Sequence, residues 1–150
     1  MILLITGCRS GFGKLTAIDA ARRGHVVYAG LRDVSTADKL MAESEGLQVH
    51  PIQLDVTKAD EREAAVARIL DEESRLDGLV NNAGVACGGF IEEVSEAEFR
   101  KVMEVNLFGL WALTNQVLPT MRAQRAGRIV NVSSTAGLFA LPGLGTYAAS

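Results

Sequence analysis

The segment Thr6-Gly7-Cys8-Arg9-Ser10-Gly11-Phe12-Gly13 follows at once on the apolar run of residues 1–5. A buried strand therefore runs straight into a glycine-rich turn, and Leu15, Ile18 and Ala21 recur behind it at helical spacing. A turn without β-carbons lets the backbone come close to a ligand. The unpaired amides and positive dipole end of the helix that follows favour an anion, so this is where a chain seats a phosphate. Two other phosphate-binding spacings are not met. A G-x-G-x-x-G started at Gly11 and Gly13 finds Thr16 in place of its third glycine, and a nucleoside-triphosphate loop would need a glycine at Cys8 and a hydroxyl at Leu15. The spacing here is G-x-x-x-G-x-G, and a tight strand-to-helix turn that binds nothing is the plain alternative.

Behind the first helix, Arg22-Arg23-Gly24 supplies a cationic last turn and a glycine stop. Residues 25–31 read as a second buried strand, and residues 35–45 as a helix stopped by Gly46. The third strand, residues 47–54, contains Pro51, which moves it to the edge of a sheet. Thr57 is expected to cap a charged helix running to about residue 74, and residues 76–80 return as a fourth strand. Ser95-Glu96-Ala97-Glu98 is a capping box that opens a long amphipathic helix, expected to kink or stop near Pro119. Gly127 breaks the chain before a fifth strand, residues 128–132. Strands alternating with helices predict an α/β protein: a parallel sheet with helices on both faces and ligands beyond the carboxyl ends of the strands.

Composition removes several classes of function. With 150 residues, 48% hydrophobic and 22% charged, the chain builds one core and reads as a single domain. Fifteen basic against eighteen acidic residues leave a net charge of −3 with no basic run, which argues against nucleic acid or an anionic membrane as partner. Cys8 and Cys87 form no C-x-x-C, which fits reduced thiols and a cytoplasmic protein, and Cys8 reads as a small filler in the turn. His25 and His50 have no partner ligand nearby in the sequence, so both read as structural or exposed and no metal is expected. The first residues carry no basic segment or cleavage pattern and read as a strand, not a signal peptide. The most apolar stretch, residues 105–121, is interrupted by Asn106, Asn115, Gln116 and Pro119, against a membrane span.

Three polar features fall where this architecture puts a site. Asn81-Asn82-Ala83-Gly84 follows the fourth strand directly, which an asparagine-rich turn also explains. Asn106 lies on the apolar stripe Phe99, Val102, Met103, Leu110, Leu113, Val117, where a buried amide must find partners or serve a reaction. Asn131-Val132-Ser133-Ser134 ends the fifth strand, with Tyr147 beyond a glycine-rich loop; serines there are also common in plain turns.

Together and in this order, these features make the chain resemble the short-chain dehydrogenase/reductase family over residues 2–150. The resemblance implies a Rossmann-type doubly wound sheet of order 3-2-1-4-5. It implies that Thr6, Gly7, Arg9, Ser10, Gly11, Phe12 and Gly13 bind the pyrophosphate of a dinucleotide, and that Asp55-Val56 lies against the adenine. It implies that Asn82, Ala83 and Gly84 line the cofactor cleft, and that Asn106, Ser134 and Tyr147 are catalytic, with Tyr147 also against the cofactor. The implied reaction moves a hydride between nicotinamide and a small alcohol or carbonyl substrate. Tyr147 exchanges the proton, Ser134 holds the substrate oxygen and Asn106 secures a water. A free tyrosine has a pKa of about 10, so the family lowers it with a lysine four residues on. Ser150 stands one residue short of that lysine. The chain is therefore expected to be the amino-terminal part of a longer subunit, or a truncated product, with little or no turnover of its own. The complete subunit is expected to form a dimer or tetramer.

Cofactor choice turns on the end of the second strand, where an acidic side chain suits the ribose 2′-hydroxyl of NAD and arginine a 2′-phosphate. Counted from Gly24, the acidic position of the family falls on Leu31 with Arg32 next, which favours NADP(H). Arg9 adds to that side. Asp33, twenty residues after Gly13, supports NAD(H) as the alternative. A non-catalytic protein that keeps the dehydrogenase fold is the alternative function, and a methyltransferase on a similar sheet a weaker one.

Overall fold

The computed structural model describes residues 1–139 and 141–150. Five parallel strands, β1 (Ile2–Ile5), β2 (Val26–Leu31), β3 (Val49–Gln53), β4 (Gly78–Asn81) and β5 (Arg128–Asn131), form one sheet in the order β3-β2-β1-β4-β5. This is the doubly wound Rossmann-type order expected from the resemblance, and Pro51 lies on an edge strand as its missing N–H requires. The described helices are α1 (Gly11–Arg22), α2 (Asp38–Glu43), α3 (Ala59–Glu73), α4 (Glu96–Met103), α5 (Leu110–Gln124) and the single turn α6 (Gly145–Ala148).

Strand alternation divides the core in two. Ile2, Leu4, Tyr28, Ile52 and Leu79 face one side and pack with Val66 and Ile69 of α3 and Leu113, Val117 and Met121 of α5. Ile5, Val27, Ala29, Leu31 and Val49 face the other and pack with Ala17, Ile18 and Ala21 of α1 and Leu40 of α2. Both faces of the central strands are covered, which is why they read as continuous apolar runs.

Three local expectations are corrected. Residues 35–45 do not form one helix: a 3-10 turn, Val34–Thr36, is capped by the Asp33 carboxylate, and only Asp38–Glu43 is α-helical. Thr57 does not cap α3. Its hydroxyl and amide both donate to Asp55 Oδ1, at 2.7 and 3.0 Å, and Lys58 occupies the cap position without a side-chain cap to the helix amides. The long helix neither stops at Pro119 nor finds its irregularity there. Pro119 and Asn115, whose carbonyl loses its partner, are both exposed, so water can satisfy that group. The break in α-helical pairing lies instead at Glu104–Gly109, a π-helical segment between α4 and α5 that contains Asn106.

Candidate active site

A cavity of about 600 Å³ opens at the carboxyl ends of β1, β2, β3 and β4. Gly7, Arg9 and Ser10 form its floor, Leu31, Arg32, Asp33 and Thr36 one wall, and Leu54, Asp55, Val56 and Thr57 the next. Ala83, Gly84 and Val85 close the far side, and Lys101, Glu104 and Val105 reach in from the α4 end.

The glycine turn is shaped by close approach. Gly7 has φ +72°, and a β-carbon there would come within 2.9 Å of Ala83 Cα. A β-carbon on Gly13 would run into Gly7 O and Asn82 Nδ2. Gly11, by contrast, has φ +59° and nothing within 4 Å of its missing β-carbon. Ser10 occupies the amino-terminal cap of α1 without a side-chain bond, and no acidic residue stands in the first turn. The first amides of α1 are thus left for an anion to take, and the turn has the room and the donors that a pyrophosphate needs.

Thr6 and Asn82 build this geometry without lining the cavity. Thr6 Oγ1 accepts from the amides of Asn82 and Ala83, both at 2.9 Å, while Asn82 Nδ2 donates to Thr6 O at 2.9 Å and Gly7 O at 3.4 Å. The turn after β1 is thereby stitched to the turn after β4. Phe12 is 78% exposed and points away from the core. Cys8 is fully buried, its thiol donating to Ile5 O, and burial pushes its pKa up to about 12, so it is a structural filler and not a reactive thiol.

At the β2 rim, Asp33 Oδ1 accepts from Ser35 N at 3.0 Å and Ser35 Oγ at 2.6 Å, and the Ser35 hydroxyl holds this carboxyl below its ordinary pKa. Among the described residues, neither the Arg9 nor the Arg32 guanidinium enters a hydrogen bond or ion pair within the protein. Two cations therefore line the cavity with their donors uncommitted, and the Asp33 carboxylate next to Arg32 in the chain is engaged by its own turn.

Asn106, Ser134 and Tyr147 lie beyond the Val85 side of the cavity. Asn106 grips Val85 at both backbone groups: its Oδ1 accepts from Val85 N and its Nδ2 donates to Val85 O, each at 2.9 Å. The second Nδ2 proton goes to Ser150 Oγ at 2.8 Å, and Ser150 Oγ donates to Tyr147 O at 2.8 Å. A continuous bonded path thus joins Val85, Asn106 and the α6 backbone that carries Tyr147. It also commits both protons of the Asn106 amide. Ser134 caps a 3-10 turn, Thr135–Gly137, its hydroxyl accepting from Ala136 N at 3.2 Å, and α6 packs against that turn and against α4. Among the described residues, Ser134 and Tyr147 make no hydrogen bond to each other. Lys101 and Glu104 were not singled out from the sequence; their i,i+3 spacing, which puts both on one helix face, is the signal that would have found them.

A family model described as short chain dehydrogenase matches residues 1–150. The 3-ketodihydrosphingosine reductase of Bacteroides thetaiotaomicron is 41% identical over 149 residues, covering 99% of this chain and 52% of its own length. The 3-oxoacyl-(acyl-carrier-protein) reductase FabG of Thermotoga maritima is 40% identical over 151 residues, covering 99% and 61%. The solved structure of a short-chain dehydrogenase from Streptomyces avermitilis superposes with a TM-score of 0.91 at 36% identity, covering 99% of this chain and 54% of that one. The chain spans about half to three fifths of the length of the curated relatives it matches. Among the described residues, no helix is long and apolar enough to cross a membrane.

Proposed function

The chain belongs to the short-chain dehydrogenase/reductase family, and on that premise we propose that its cavity holds NADP(H), with NAD(H) the alternative, for an oxidoreductase acting on a small alcohol or carbonyl compound. The observation that carries this reading is the uncapped, acid-free start of α1 behind a glycine turn on the cavity floor. Gly7, Ser10 and the first amides of α1 would take the pyrophosphate, and Arg9 and Arg32 would take a 2′-phosphate. Asp55, Val56, Lys101 and Glu104 would flank the adenine, and Ala83, Gly84 and Val85 would lead toward the nicotinamide end.

When bound, the nicotinamide supplies or accepts the hydride. The protein supplies the rest. Tyr147 would give the substrate oxygen its proton in reduction, or take it in oxidation, and Ser134 would hold that oxygen by its hydroxyl. Asn106 would act by fixing Val85 and the α6 backbone in one frame. With both amide protons committed, it would hold a water only through an acceptor, its Oδ1 or its main-chain carbonyl in the π-helical segment. Position 151, where the family carries its lysine, lies outside these 150 residues, so the 150-residue chain is expected to bind cofactor and turn over little. The complete subunit would pair as a dimer or tetramer.

Titration of the 150-residue chain with NADPH, NADH and S-adenosylmethionine, followed by fluorescence or calorimetry, tests the reading. NADPH should bind tightest. Tightest binding of S-adenosylmethionine would sink the dehydrogenase assignment, and absence of binding to either nicotinamide would leave only the fold.

A further inference from the structure

The loop after β2 is held by a side chain from the neighbouring strand. Leu31 stands opposite Gln53 at the end of the β2–β3 register, and a backbone bond from Leu54 N to Leu31 O, 2.7 Å, closes the pairing of the two strands. Beyond that point Gln53 continues the ladder with its own amide. Its Nε2 donates to Arg32 O at 2.8 Å and its Oε1 accepts from Val34 N at 3.0 Å. Those two groups belong to the peptide units on either side of Asp33, so one side chain fixes both. Nε2 also donates to Glu61 Oε2 at 3.0 Å, and the same carboxylate oxygen accepts from Asp55 N at 2.6 Å. Glu61 thus ties the Arg32 wall of the cavity to the Asp55 wall.

Held this way, Asp33 keeps the extended backbone, φ −139° and ψ 105°, that folds its carboxylate onto Ser35. We propose that Gln53 is a positioning residue for cofactor choice: by fixing both peptides around Asp33 it keeps that carboxylate in its own turn and leaves Arg32 to meet the 2′ end of the adenosine ribose. The proposal rests on the reading of the cavity as a dinucleotide site. Without the clamp, the Asp33 carboxylate can rotate toward the ribose hydroxyls, where an acid selects the unphosphorylated cofactor and repels a 2′-phosphate. Gln53 would then set the preference from outside the cavity, since it is not among the lining residues.

The experiment compares dissociation constants for NADPH and NADH, read by cofactor fluorescence, in the 150-residue chain and in Gln53→Ala. The NADPH constant should rise about tenfold while the NADH constant stays within about twofold or falls, so that the ratio collapses. A merely structural glutamine would move both constants together, and that result, or no change in either, overturns the proposal. Should Gln53→Ala fail to fold by circular dichroism, Gln53→Met keeps the volume, removes both loop bonds and is read the same way. Failure of the unsubstituted chain to bind either nucleotide would instead strike the dinucleotide reading, and the inference would fall with it.

Discussion

The two ends of the sheet are finished differently. At the β2–β3 end, Gln53, Asp33, Asp55 and Glu61 each spend side-chain oxygen or nitrogen on nearby backbone, so the cavity rim is an extension of the strand ladder. At the β5 end, Val130 and Val132 are about half exposed, and Phe90, Ile91, Leu138 and Leu141 stand largely in solvent. A backbone bond from Gly89 N to Gly143 O, 2.9 Å, joins the two loops there. Local stability follows buried apolar contact and satisfied backbone, so the cavity wall should open last and the Ser134 and Tyr147 loops first. In the 150-residue chain the regions proposed for binding and for chemistry are thereby unequal in rigidity.

Core truncation gives the largest contrast. Leu79 of β4 is fully buried between neighbours on both sides, and Leu79→Ala should cost about 2–5 kcal/mol in denaturant melts. Val130→Ala on β5 should stay within about 0.5 kcal/mol, as for exposed positions generally. Equal losses would mean that β5 is as well packed as β4. The glycines sharpen the comparison at smaller cost. Gly13→Ala drives a methyl into Gly7 O and Asn82 Nδ2, and should destabilise by about 1–3 kcal/mol and weaken dinucleotide binding at least tenfold. Gly145→Ala, with nothing within 4 Å of the added carbon, should leave both unchanged.

How much of this was legible in the sequence divides along the same line. The strands, the glycine turn and the capping box at Ser95 and Glu98 came through because each is set by local pattern: apolar runs, missing β-carbons, and a cap whose partner lies three residues away; the order of the strands came from the family resemblance. Thr57 and Asp33 did not, because their carboxylate and hydroxyl partners compete for the same short turn and only geometry decides which donor wins. The π-helical segment around Asn106 was not legible either. Its irregularity depends on Asn106 bonding Val85 from twenty-one residues away, and on Gly109 letting the helix come so close to Val56 that a β-carbon would lie 2.7 Å from Val56 Cγ2. Thr6 was legible as a motif residue but not in its role. Thr6→Val keeps the shape, strands the amides of Asn82 and Ala83, and should cost about 1–3 kcal/mol in the same melts.

The smallest expected effect concerns Asp77, which precedes β4 and bridges the starts of β1 and β5. Its Oδ2 accepts from Ile2 N at 2.8 Å, its Oδ1 from Arg75 Nε at 2.9 Å, and its backbone pairs with Ile2 on one side and Arg128 on the other. Burial alone would push this carboxyl up, but the Arg75 guanidinium and the Ile2 amide outweigh it and hold it below its ordinary value. A carboxyl whose folded pKa is depressed contributes stability that is fully present above its unfolded pKa, about 3.9, and is lost as pH falls through the folded value. Denaturation midpoints should therefore drop below about pH 4, and Asp77→Asn, which keeps an acceptor for Ile2 N, should flatten that drop. Exposed carboxylates held by surface cations, such as Glu72 beside Arg68 and Glu43 beside Lys14, contribute to the same limb but are screened by salt. In about 1 M salt, where the Debye length is near 3 Å, the difference between the native chain and Asp77→Asn should survive while the rest of the slope shrinks. If salt erased the difference as well, Asp77 would be behaving as a surface charge, and the seam between β1 and β4 would be as open to water as β5.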